Sequence, residues 1–182
     1  MLASILEQLM ADSPWNPAIR PDPTPWLSAL AAHQYPIFPA VETVLRRYGG
    51  WTFNTAPWHD QYLALTDDLQ GIFEWSTDQI AIHIDPHAAK ALTEAAIWQT
   101  HPYVRHNKLQ IAPIGKLISP VQNEGSLFIV STGHILQGQW VFNPADWKLP
   151  SVPVLKMLGM NLADAVNEIV HRGLLIITHE EQ

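Results

Sequence analysis

The sequence predicts an α+β fold in a single domain, on three observations. Segments with helical apolar spacing and capping residues stand towards both ends of the chain. Short strand-length segments punctuated by Pro, Asp and Gly lie between them. No repeat, low-complexity linker or change of composition divides the 182 residues. At 47% hydrophobic the chain is rich enough in apolar residues to bury a core of its own, and with no Cys its stability must come from packing, without disulfides or thiolate metal sites.

Each element has a local reason. Leu2, Ile5, Leu6 and Leu9 give an amphipathic helix over Leu2–Met10, within an N-terminal subregion spanning about 1–12. Four prolines between Pro14 and Pro23 forbid regular structure there, while Trp15 and Ile19 pin the segment to the core. A helix is expected from Thr24, with its hydroxyl as cap and Pro25 first in line, carrying Trp26, Leu27, Leu30 and Ala31 until Pro36. A second helix over Pro39–Tyr48 buries Val41, Val44, Leu45 and Tyr48, and Gly49-Gly50 supplies a left-handed stop. Strands follow at Trp51–Thr55, Gln61–Thr66, Ile72–Trp75 and Gln79–Ile84. Asp85-Pro86 opens a helix to about Gln99, with Ala89, Leu92, Ala96 and Ile97 as its buried stripe. Lys108–Ile114 and Ser126–Ser131 read as strands, and Thr132-Gly133 turns the chain into His134–Val141. A Pro-rich loop, Asn143–Pro153, leads to a last helix over Asn161–Arg172, capped by Asn161 and stopped by Gly173. The tail Leu174–Thr178 is apolar enough for an edge strand.

The charge pattern narrows the function. Seventeen acids against ten bases give a net charge of −7, which argues against nucleic-acid binding through a basic face and favours a basic partner. From Tyr48 to Ala89 there is no Lys or Arg, yet Asp60, Asp67, Asp68, Glu74, Asp78 and Asp85 all fall there. Such a block makes a negative field able to steer a cationic protein. Trp58, beside Pro57, His59 and Asp60, adds an aromatic anchor of the kind found at binding hot spots; Trp147 is a second loop Trp, whereas Trp26, Trp51 and Trp98 are expected in the core. The candidate partner-binding set is therefore Trp58, Asp60, Asp67, Asp68, Glu74 and Asp78. No apolar run approaches the ~20 residues of a membrane span, and the N-terminus lacks the basic start of a signal peptide. A cytoplasmic location without membrane association is expected.

Catalysis has little support. There is no Gly-x-Ser-x-Gly elbow and no phosphate-binding glycine loop. The densest group of histidines, His83 and His87 flanking Asp85 with His101 and His106 beyond, suggests a small metal-dependent hydrolase as an alternative. Local structure explains the same run: His83 in a strand, Asp85 as a helix cap and His87 in the first turn. No cofactor, metal or catalytic residue is assigned.

Weak motifs in a fixed order resemble a known family. Pro14-Trp15-Asn16-Pro17, Arg20, Trp26, Tyr35-Pro36, Pro39-Ala40 and the run Val44–Gly50 look like the opening of the third SUKH-type family of bacterial immunity proteins. Ile82–Pro86 resembles its strand-to-helix junction, Ile111–Gly115 its Leu-x-Pro-Val-Gly strand, and Leu127–Ile135 its strand, Gly turn and strand. Leu158-Gly159 with Leu162 and Ala165-Val166 resembles its closing segment. The similarity runs from about 14 to 173; Pro14 stands where the family has Gly, and Ala18-Ile19 interrupts its Gly-Arg. The resemblance implies a SUKH (Smi/Knr-like) fold, a mixed, mainly antiparallel β-sheet flanked by helices. It also implies a non-enzymatic protein that binds and neutralises a cognate toxin of a polymorphic toxin system, a nuclease or deaminase for instance, as a monomer or weak homo-oligomer. A regulatory scaffold module is a further alternative, as some relatives of the superfamily suggest.

Overall fold

In a computed structural model the described residues are Leu6, 20–54, 81–118, 125–141 and 151–172. Helix α1 spans Thr24–Ala32. Its entry differs from the expected Thr24 cap: Asp22 Oδ1 accepts from both the Thr24 N–H (3.0 Å) and the Thr24 hydroxyl (2.6 Å), so Thr24 is the donor and Asp22 supplies the orphan N–H with a partner. Those bonds hold the Asp22 carboxyl below its usual pKa. The helix also ends earlier than Pro36. Gln34 adopts a left-handed φ of 64°, letting the Tyr35 N–H reach back to the Leu30 carbonyl. Only Leu30 of α1 is fully buried, and Ala31 faces solvent.

Helix α2, Pro39–Tyr48, is as the periodicity requires, with Val41, Leu45 and Tyr48 buried and Val44 packed at the edge of the core. The left-handed residue of its stop is Gly50 (φ 75°), while Gly49 allows the Trp26 ring to lie where a Cβ would stand, 2.2 Å from Cζ3. The Gly50 N–H then bonds the Ile84 carbonyl, and the Ile84 N–H the Trp51 carbonyl, delivering the chain into the sheet.

Among the described residues the sheet has six strands in sequential order: β1 Thr52–Asn54, β2 Ala81–His83, β3 Ile111–Ile118, β4 Gly125–Val130, β5 Ile135–Val141 and β6 Val152–Gly159. Every described pairing is antiparallel, so for these residues the expectation of a mixed sheet is corrected to a meander. The β4–β5 hairpin turns at Thr132-Gly133 as expected, with Gly133 at φ 90°. Pro113 sits at a register irregularity in β3, and β2 pairs only with Lys116–Ile118, so the missing N–H disrupts no ladder there. β6 replaces the end of the expected Pro-rich loop. Its alternation of half-buried Pro153 and Leu155 with exposed Val152, Val154 and Lys156 is that of a strand covered on one face.

The expected helix from Asp85 to Gln99 is broken into three. Asp85 Oδ1 does cap a turn, accepting the His87 N–H at 2.9 Å, but the segment is a 3-10 turn at Pro86–Ala88, another at Lys90–Thr93, and then helix α3, Ala95–Gln99. Ala89 between them is extended (φ −81°, ψ 122°), and the buried residues are Pro86, Ala89, Ala91, Leu92 and Trp98, with Ala96 and Ile97 exposed. A short helix α4, Pro102–His106, follows; His101 Nδ1 accepts the Tyr103 N–H at its start. The last helix, α5, Leu162–Arg172, begins at Asn161, whose side chain accepts the Asp164 N–H at 3.0 Å.

Both faces of the sheet are covered. The main core joins Leu30, Val41 and Leu45 of α1 and α2 and Leu162, Val166 and Ile169 of α5 to Ile82, Ala112, Leu127, Ile129 and Ile135 of the sheet. The opposite face carries a smaller core of Ala91, Trp98, Val104, Ile111, Phe128, Val130 and Leu136, roofed by α3 and α4. β4 is buried throughout because Leu127 and Ile129 enter the first core and Phe128 and Val130 the second.

Candidate functional site

The acid-rich stretch has a definite base. β1 and β2 are antiparallel neighbours, with Asn54 opposite Ala81, so the two residues that flank 55–80 in sequence stand at paired positions about 5 Å apart. Trp58, Asp60, Asp67, Asp68, Glu74 and Asp78 lie within that span, outside the described residues, as do Trp147, the expected strands Gln61–Thr66 and Ile72–Trp75, and the tail Leu174–Thr178. The remaining acid of the block, Asp85, is half-buried at the start of the first 3-10 turn.

Beside that base stands a polar row. Thr52 of β1 faces His83 of β2, which faces Lys116 of β3, which faces Ser126 of β4. The Thr52 hydroxyl is hydrogen-bonded to His83 Nδ1. His83 Nε2 lies 3.6 Å from Asp85 Oδ2, too long for a hydrogen bond. Ser126 is buried and accepts the Ala91 N–H at 3.3 Å, which fixes the second 3-10 turn on the sheet. His87 is exposed on the neighbouring turn. Among the described residues no three His, Asp or Glu side chains converge as metal ligands, and His83, His87, His101 and His106 do not form one site. His83 and Asp85 come together; His101 instead stacks beside Trp98, ring centroids 6.5 Å apart.

A second feature has no counterpart among the sequence expectations. Glu94, between the second 3-10 turn and α3, accepts two indole N–H groups on a single oxygen: Trp98 Nε1 to Oε2 at 2.9 Å and Trp140 Nε1 to the same atom at 3.2 Å. Trp98 is buried as expected, 4.9 Å from Phe128 and 6.1 Å from Trp140 between ring centroids, the latter pair edge to face. Gly138 leaves room for the Trp98 and Phe128 rings against β5, where a Cβ would meet Phe128 Cε2 at 2.4 Å. Tyr35 closes the far side by donating its hydroxyl to the Ala91 carbonyl at 2.5 Å. Burial, and then the Glu94 charge, push its pKa upward. The Glu94–Trp98 spacing of four residues was a usable signal; Trp140 is 46 residues from Glu94 and gave none.

No helix among the described residues is long and apolar enough to cross a membrane. No protein-family model, curated protein or solved structure matches the chain.

Proposed function

We propose that this protein is an immunity protein of the third SUKH type: it binds a basic toxin domain in the cytoplasm and covers the face with which that toxin engages its substrate, with no catalytic step of its own. The observation that carries the reading is the acid block. Six acids and no Lys or Arg lie between Tyr48 and Ala89, and residues 55–80 of that block fall in sequence between the paired strands β1 and β2. Toxins that act on nucleic acid need a cationic active face, and clustered acids raise the rate of encounter with it. Asp60, Asp67, Asp68, Glu74 and Asp78 supply the steering field in this reading, and Trp58 the apolar anchor. The order of motifs along the chain supports the same conclusion.

The test is co-expression with the toxin domain encoded immediately upstream of this gene. Cell survival and a co-purifying complex are expected. Replacing Asp67 and Asp68 together by Lys should slow association about tenfold or more at low salt and flatten its dependence on ionic strength. An upstream gene without a toxin domain, or a complex whose association rate ignores both the charge reversal and salt, would refute the proposal.

A further inference from the structure

We propose that Glu94 and Trp140 form a docking site for a guanidinium group, where an arginine of a basic protein partner is held. The identity of that partner as a toxin rests on the reading above; the chemistry of the site does not.

Both indole donors fall on Oε2 of Glu94, so the carboxylate is fixed in place by two elements distant in sequence, α3 and β5. Its other oxygen, Oε1, has no hydrogen-bond partner among the described residues, and none of their Lys, Arg or His side chains forms an ion pair with it. Glu94 is half-buried, not sealed: a charged acceptor is presented at the surface with spare capacity. Trp140 is likewise half-exposed, it meets Trp98 edge to face, and its nitrogen lies 3.2 Å from the carboxylate. Carboxylate and indole together suit a planar cation, which can direct N–H groups at Oε1 while lying against the ring. An ammonium makes the ionic contact but cannot stack, so arginine is selected over lysine.

The site is built before any ligand arrives. Trp98 is held over Gly138 and Phe128, Trp140 is hydrogen-bonded through its nitrogen, and the main chain before Glu94 is tied down by the Tyr35 and Ser126 contacts to Ala91. Little side-chain freedom is left to lose on binding, which favours affinity.

The experiment titrates N-acetyl-arginine amide into the full chain and follows the indole N–H resonances of Trp98 and Trp140 by NMR. A saturable shift of the Trp140 signal is expected, with N-acetyl-lysine amide binding at least about fivefold more weakly. Glu94→Gln retains an oxygen acceptor for the indoles and should weaken arginine binding about fivefold or more. Trp140→Leu keeps the Trp98–Glu94 bond and removes the stacking surface, with a similar loss. No saturable shift, equal binding of the lysine compound, or unchanged affinity in both variants overturns the assignment. Because no toxin takes part, failure here is distinct from failure of the immunity reading, which the co-expression test addresses separately.

Discussion

Gly138→Ala is the smallest perturbation with a large expected effect. The added methyl would lie 2.4 Å from Phe128 Cε2 and 3.0 Å from two carbons of the Trp98 ring, against the 3.4–4 Å of ordinary contact. Neither ring can yield. Phe128 is 0% exposed, and Trp98 is 1% exposed with its nitrogen tied to Glu94. The backbone cannot yield either, since Gly138 is paired to Ser126 on one side and Leu155 on the other. Overpacking a rigid core costs about 1–3 kcal/mol, and these constraints put the site at the upper end, about 3 kcal/mol. For a chain of this size that is a fall in Tm of about 6–12 °C, readable by thermal and urea unfolding with near-ultraviolet circular dichroism on the Trp signal. Phe128→Leu, which removes Cε2, should cost about 1.5 kcal/mol alone, yet the double variant should be more stable than the sum of the two losses by at least about 1 kcal/mol. A Gly138→Ala protein within about 0.5 kcal/mol of the parent, or strict additivity in the double variant, would refute the packing argument.

Two further outcomes follow from the same region. Glu94→Ala strips the buried Trp98 N–H of its partner and should cost about 2 kcal/mol in urea unfolding, whereas Glu94→Gln keeps an acceptor and should stay within about 1 kcal/mol. Tyr35 titrates above its ordinary value in the folded protein, first through burial and second through Glu94, so the fold favours the neutral phenol. Its contribution is intact below about pH 10, the unfolded value, and is lost as pH rises from there towards the raised folded value. Tyr35→Phe should therefore be about 1 kcal/mol less stable at pH 7, through the unpaired Ala91 carbonyl, yet lose less stability than the parent between pH 9 and about 11. Parallel stability curves for the two proteins over that range would remove the tyrosine from the account.

Where local chemistry decides, the sequence was readable. α2 follows from its apolar spacing and terminal glycines, the β4–β5 turn from Gly133, and the α5 cap from Asn161, all of which need only neighbours along the chain. Where distant groups decide, it was not. The Asp85–Gln99 run has good helix formers, but Tyr35 and Ser126 bond the two main-chain polar groups of Ala91 and hold the chain extended at Ala89. β6 was hidden because Pro153 argues against a strand until one sees it on the terminal described strand, opposite Trp140. Glu94 illustrates the same limit for the site: its two donors come from separate elements, and no periodicity brings Trp140 to it.

The pairing of Asn54 with Ala81 has a consequence for how such a protein can change allegiance. A segment whose flanking residues share one rung of a ladder can be exchanged, because that rung holds its spacing whichever segment connects its two ends. Lengthening it is cheap, about 0.6 kcal/mol of closure entropy per doubling. A different stretch between those two residues would leave the Asn54–Ala81 pairing in place while replacing the acids and the Trp to which the proposed function assigns partner binding. Recognition would then be inherited as a cassette, separately from the frame that keeps it folded.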